Sequence, residues 1–179
     1  MCMSPMLRKT SLTLVATLAL CTLAAGNATA ADAGSRQLPI QIQSDNADFA
    51  QKSGVSTYTG DVVLTRGGMT LTGSKLVVTR INDRGNIKAV LTGSPAHIDK
   101  KPDAENNETV TGHASSITYT NSNAELTLRG NAVLERSGGD TINSPVITRN
   151  VDSGVTHAQG GGQDGQRVHI TIQPNQDNP

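Results

Sequence analysis

From Leu38 onward the chain alternates apolar and polar residues in short runs, and nowhere sustains the i, i+3, i+4, i+7 spacing of an amphipathic helix. Leu38, Ile40 and Ile42 share one side of the first run, and Tyr58, Val62 and Leu64 share a side of the second across Gly60. Met69 and Leu71, Leu76 and Val78, Ile87 with Ala89 and Leu91, and Ala96 with Ile98 continue the alternation. Ser115, Ile117 and Tyr119 follow; Leu126 and Leu128 run on through Gly130 to Ala132 and Leu134; Val168, Ile170 and Ile172 close the pattern. A period of two with one apolar side predicts strands of a sheet that is dry on one face only. Turn formers separate the runs at Gly67-Gly68, Asn82 to Asn86, Asn121 to Asn123 and Ser137 to Asp140. A spacing of about 8–12 residues between them suits an antiparallel sandwich, jelly roll or roll. The polar stretch from Asp99 to Glu108 is expected to be a long exposed loop, and Gly160 to Gly165 a mobile turn.

Two stretches repeat. Gly60-Asp61-Val62-Val63-Leu64-Thr65-Arg66, with Thr70-Leu71-Thr72 and a closing Thr79-Arg80, returns as Gly130-Asn131-Ala132-Val133-Leu134-Glu135-Arg136, with Thr141-Ile142-Asn143 and Thr148-Arg149. A duplicated strand–turn–strand unit implies stacked β structure in which each unit buries its apolar side against its neighbours. Pro145 removes a ladder donor from the run Ile142 to Asn150, which is expected to be an edge strand or to bulge there.

The N-terminal segment has a different character. Arg8 and Lys9 precede an uncharged apolar run from Leu12 to Ala25, and Ala28-Thr29-Ala30 has the form of a cleavage site. Residues 1–30 therefore read as a cleaved secretory signal peptide, 31–37 as a flexible lead-in, 38–174 as one domain and 175–179 as a disordered tail. Leu18-Ala19-Leu20-Cys21 resembles a lipoprotein processing box, but Leu20 is not the small residue such a box needs before its cysteine. Cleavage after Ala30 removes both cysteines, Cys2 and Cys21, leaving no disulfide, thiol nucleophile or thiolate ligand. About 150 residues remain, enough for one core that buries roughly 70% of the unfolded surface. Without Arg8 and Lys9 the chain carries thirteen basic and fifteen acidic residues, with no cationic cluster, so nucleic acid is not an expected partner.

Candidate chemistry is sparse. His97, His113, His157 and His169 are scattered, with no zinc-type spacing to one another or to a carboxylate. Asp45 and Asp48 suit strand-end and turn positions. No G-x-S-x-G is present, no cofactor is implied, and no nucleophile–base pair can be assembled. The expectation is a non-enzyme. The inward set is almost wholly aliphatic, since the whole chain has one Phe, two Tyr and no Trp. Such a face can close on itself or line a slot for hydrocarbon, because each covered CH₂ contributes about 0.8 kcal/mol whichever partner covers it. Periodicity does not choose between these.

Several motifs, in order, carry a family resemblance. Pro39-Ile40-Gln41-Ile42-Gln43-Ser44-Asp45, Tyr58-Thr59-Gly60-Asp61-Val62, Gly93-Ser94-Pro95-Ala96, Thr111-Gly112-His113-Ala114-Ser115 with Ile117-Thr118-Tyr119, Leu126 to Ala132, and Gly165-Gln166-Arg167-Val168 with Ile172-Gln173-Pro174 resemble the periplasmic lipopolysaccharide-transport bridge proteins, the LptA/OstA-like family. Asp61 stands where that family more often has Asn, and Ile142 to Asn150 lacks its usual aromatic. The resemblance spans Leu38 to Pro174. It implies an all-β, twisted and partly open OstA-like jellyroll of antiparallel strands with an apolar interior groove. It implies a periplasmic protein that binds lipopolysaccharide through the acyl chains of its lipid A moiety. Such proteins join head to tail as homo-oligomers between the inner-membrane and outer-membrane components of the transport machinery. The inward set assigned to the groove is Ile40, Ile42, Tyr58, Val62, Leu64, Leu76, Val78, Ile98, Ile117, Tyr119, Leu126 and Leu128, each of which could equally be ordinary core. Arg80, on the same parity at a strand end, is a candidate for a ligand phosphate or carboxylate, or else turns to solvent or pairs with Asp83; Arg149 is its repeat partner. The alternatives are another OstA-like lipid chaperone or assembly partner, and a structural exported β-scaffold with no ligand.

Overall fold

The computed structural model describes residues 38–102, 107–161 and 165–174, all within one compact unit. The signal peptide, the lead-in, the tail and parts of the two expected loops fall outside these residues. Among the described residues, ten strands form one antiparallel sheet: β1 (Gln41–Gln43), β2 (Asn46–Ala50), β3 (Val55–Arg66), β4 (Met69–Arg80), β5 (Ile87–Lys100), β6 (Val110–Thr120), β7 (Glu125–Arg136), β8 (Thr141–Asn150), β9 (Thr156–Gln159) and β10 (His169–Thr171). Strands β3 to β8 pair in chain order. At one end β1 and β2 share the free side of β3, and at the other β9 and β10 share that of β8.

A line of register breaks crosses all six long strands. Gly60 and Asp61 oppose the single residue Ser74, and Gly130 and Asn131 oppose the single residue Pro145. The break passes through Gly73 and Ser74 in β4, Gly93 to Pro95 in β5, and Ala114 and Ser115 in β6. The sequence repeat is thus a repeated two-for-one bulge. Both members of each pair adopt positive φ, 78° and 34° at Gly60 and Asp61, 78° and 49° at Gly130 and Asn131. Glycine enters this region without strain, and Asp and Asn are the side chains that tolerate it best. A Cβ at Gly60 would lie 2.1 Å from Asp45 Oδ2. Gly60→Ala is therefore expected to lower stability by about 1–3 kcal/mol in a denaturant titration, through forced φ and the clash with Asp45.

The breaks fold the sheet onto itself. Arg66, ending β3, stacks 5.6 Å from the Tyr119 ring centroid on β6, although two strands separate β3 from β6. Within one flat sheet those strands would be about 14 Å apart, so the contact crosses the interior between two layers. One layer holds β2, the first halves of β3, β5 and β7, the second halves of β4, β6 and β8, and β9; the other holds the complementary halves with β1 and β10. Because an odd number of residues passes the break in β4, β5, β6 and β8, their buried parity changes: Leu71 to Leu76, Leu91 to Ala96, Ala114 to Ile117, and Ser144 to Ile147. The two-residue bulges preserve it in β3 and β7.

Several expectations change accordingly. Ser115 is exposed while Ala114 is buried, because the break falls between Ala114 and Ile117. Asp99 and Lys100 belong to β5 rather than to a loop. Of the two alternatives for Pro145, an edge strand or a bulge, the structure has the bulge: it opposes Gly130 and Asn131 at the register break, in the gap between β9 on Val146–Arg149 and β10 on Thr141–Asn143, where a missing N–H breaks no ladder. Ile170 and Ile172 are not buried but 58% and 73% exposed. Strands β2 and β9 escape the alternation test because neither packs a continuous apolar side into the core.

Candidate functional site

The interior between the layers holds the apolar core of the described residues, and turn chemistry holds its strands in place. Asn82 Oδ1 accepts from the backbone N–H of Arg84 and Asn86 (3.1 and 3.3 Å), and Asn121 Oδ1 accepts from Ile87 N–H (2.8 Å). Of the expected inward set, Val62, Leu64, Leu76, Ile117, Tyr119, Leu126 and Leu128 are fully buried, and Ile98 nearly so. Leu71, Leu91, Leu134 and Ile147 share that environment and show the same alternation in sequence, although the inward set did not include them. At its centre the interior is filled by its own side chains and excludes water.

The ends differ. Ile40, Ile42, Tyr58 and Val78 pack against the core but remain partly exposed next to β1 and β2, and Ile142 and Ala158 do so at the β8–β10 end. Phe49, 66% exposed on β2, stacks edge-on against Tyr58 with centroids 5.9 Å apart, carrying the apolar rim outward. Ile170 on β10 and Ile172 just beyond it extend the other rim. No ladder among the described residues joins β1 to β10 or β2 to β9, so the apolar layer opens at two unpaired edges.

Arg80 and Arg149 part company. Arg80 is exposed at the end of β4, its backbone N–H donating to Gly54 O (2.9 Å). Arg149 is 2% exposed inside. It donates to Gly154 O (2.9 Å), Thr156 Oγ1 (2.8 Å) and Glu108 Oε2 (2.6 Å). Arg136 pairs with the other oxygen of the same carboxylate. Burial pushes the Glu108 carboxyl up, but the hydrogen bonds and charges of Arg136 and Arg149 outweigh it and hold the group below the ordinary carboxylate range. Arg66 and Lys100 are also buried, at 5% and 6% exposure. Alternation puts Arg80 on the inward parity with Arg149 as its repeat partner, yet of the two it is Arg149 that is buried, and only the folded-over layers bring Glu108 beside it. Among the described residues no group of three or more metal-ligating side chains gathers.

An open, folded-over antiparallel sheet with an aliphatic interior and two free edges defines a jellyroll of the carrier or scaffold class. Residues 41–155 match the LptA/(LptD N-terminal domain) LPS transport protein family, and the chain belongs to that family. The chain is 31% identical to the lipopolysaccharide export system protein LptA of Haemophilus influenzae over 138 residues, 77% of this chain and 78% of that one. It is 36% identical to Escherichia coli K12 LptA over 129 residues, 72% of this chain and 68% of that one. Among solved structures, LptH, the LptA-homologous periplasmic component of the lipopolysaccharide transport device of Pseudomonas aeruginosa, superposes with a TM-score of 0.69 at 27% identity, covering 78% of this chain and 99% of that one. The OstA-like jellyroll expected from the motifs is thus the fold observed. The family is one of transport proteins, so the chain is not an enzyme. The family match stops before β9 and β10, which form the C-terminal edge.

Proposed function

We propose that this protein is the periplasmic carrier of a lipopolysaccharide export system. It takes the acyl chains of lipid A between its two layers and passes the molecule from inner-membrane to outer-membrane components along a head-to-tail row of copies. The observation that carries this reading is the position of the half-wet apolar residues. Among the described residues, those that also pack against the core lie toward the two ends of the layers: Ile40, Ile42 and Tyr58 beside one free edge with Val78 one strand further in, and Ile142 and Ala158 beside the other. A second copy pairing β10 with β1 or β2 of the first would satisfy two exposed strand edges and join the two rims into one apolar path. The filled centre favours a second reading, a closed scaffold without ligand. In the first reading the layers part, and each acyl CH₂ replaces a side-chain contact at about equal gain.

The test titrates the exported chain, residues 31–179, with labelled lipopolysaccharide in competition with phospholipid. Saturable binding that phospholipid does not displace is the expected result; no binding by folded protein leaves the scaffold. Ile42→Asp should weaken binding at least about tenfold, since loss of contact with roughly two methylenes suffices for that. Its melting temperature should change little, because Ile42 is only half-buried. In the same preparation, removing residues 167–174 should abolish any rise of mass with concentration in light scattering.

A further inference from the structure

His97 and His113 are sixteen residues apart in the chain, yet β5 and β6 place them directly opposite one another. Their ring centroids are 6.0 Å apart with the planes inclined at 53°. Both face away from the interior, which is filled by their chain neighbours Ala96, Ile98 and Ala114. His97 is exposed and His113 half-buried. The two rings lie in a shallow groove on the outer face that also holds Thr72, Asp99, Thr111 and Glu135. Thr72 and His97 line an adjoining hollow at the register break, where Asp61 is the charged residue. The ionised side chains along both hollows are therefore all carboxylates, with no Lys or Arg among them.

We propose that His97 and His113 form a binding site for one divalent transition-metal ion, Zn²⁺ or Cu²⁺, on the outer face of the sheet. Imidazole is the ligand type these ions favour. With a metal–nitrogen bond of about 2.0–2.1 Å and the centroid about 1.1 Å behind that nitrogen, two rings sharing an ion have centroids from about 5 Å apart (tetrahedral) to about 6.4 Å (linear). The observed 6.0 Å lies inside that range, so the spacing of the two strands suits a shared ion. Asp99 and Glu135 stand in the next outward row, about 7 Å along the strands. At that distance they favour a dication by charge and through water, while solvent fills the open coordination positions. This site is separate from the interior and does not depend on lipid binding.

The test is isothermal titration of tag-free protein with zinc chloride and, separately, copper(II) chloride. One ion per chain is expected to bind saturably. His97→Ala and His113→Ala should each weaken binding at least about tenfold, Asp99→Asn and Glu135→Gln by less, and His157→Ala and His169→Ala not at all. The outward position of both rings predicts that the two alanine variants keep the parent's melting temperature and lipopolysaccharide affinity. Absence of saturable binding to the parent protein overturns the proposal, as does binding that survives both His97→Ala and His113→Ala.

Discussion

Leu128→Asp is expected to unfold the protein, whereas a carboxylate at the rim leaves it folded. Leu128 is fully buried on β7, beside Ile117 of β6 and Ile147 of β8. Truncation to Ala alone should cost about 2–5 kcal/mol, as transfer energy plus the cavity left behind. Aspartate adds the penalty of burying a polar group without a partner, and the sum exceeds about 5 kcal/mol. A domain of this size has about 5–15 kcal/mol in total. Circular dichroism should therefore show a lost or greatly lowered transition for Leu128→Asp, and a cooperative one near the parent's for Ile42→Asp. If Leu128→Asp keeps the parental melting temperature, the centre is not packed as described and an open groove runs through it. The contrast also decides which positions report on ligand contact: central substitutions confound binding with folding, and rim substitutions do not.

Glu108→Gln is the second change with a large expected effect. It leaves Arg149 charged and 2% exposed, with its strongest partner neutralised, and breaking a buried pair from one side costs about 3–5 kcal/mol. Part of that figure falls away because Arg136, the carboxylate's other partner, is 44% exposed at its side chain. The pH dependence gives an independent check. Glu108 titrates in the folded protein below its unfolded value of about 4.3. Its contribution is therefore fully present above that value and is lost as pH falls through the lower folded value. Stability of the parent should drop across this acidic window more steeply than that of Glu108→Gln, and the two curves should converge at the acid end. Parallel curves would mean that the carboxylate is not held by Arg136 and Arg149. Because Glu108 precedes β6 while Arg149 lies on the far layer, the same pair fastens the two layers to each other.

Much of the architecture was legible because alternation reports directly on a sheet with one dry face. Val62, Leu64, Leu76, Leu126 and Leu128 were identifiable as inward from parity alone, and the turns at Asn82 to Asn86 and Ser137 to Asp140 from their residue types. The Gly60-Asp61 and Gly130-Asn131 repeat was legible as a duplicated strand–turn–strand unit, but that each pair forms a bulge with two successive positive φ angles is visible only in the pairing of the strands. Parity stopped working at the register breaks. There the number of residues inserted is set by how neighbouring strands pair, and Ser115 was misplaced for that reason. The edge strands β2 and β9 were equally opaque, since neither has a continuous apolar side to show, whereas the runs of β1 and β10 were visible.

Local sequence by itself determined the all-β character, the positions of the long strands and their turns, the aliphatic inward face and the family motifs, because each depends on residues adjacent in the chain. Only the tertiary structure decided that Arg149 is buried while its repeat partner Arg80 is exposed. It alone decided that Glu108 ties two layers, that His97 faces His113, and that the interior is filled at its centre and open at its edges. Each of these depends on residues distant in the chain, brought together by a fold in the sheet whose angle no single strand encodes.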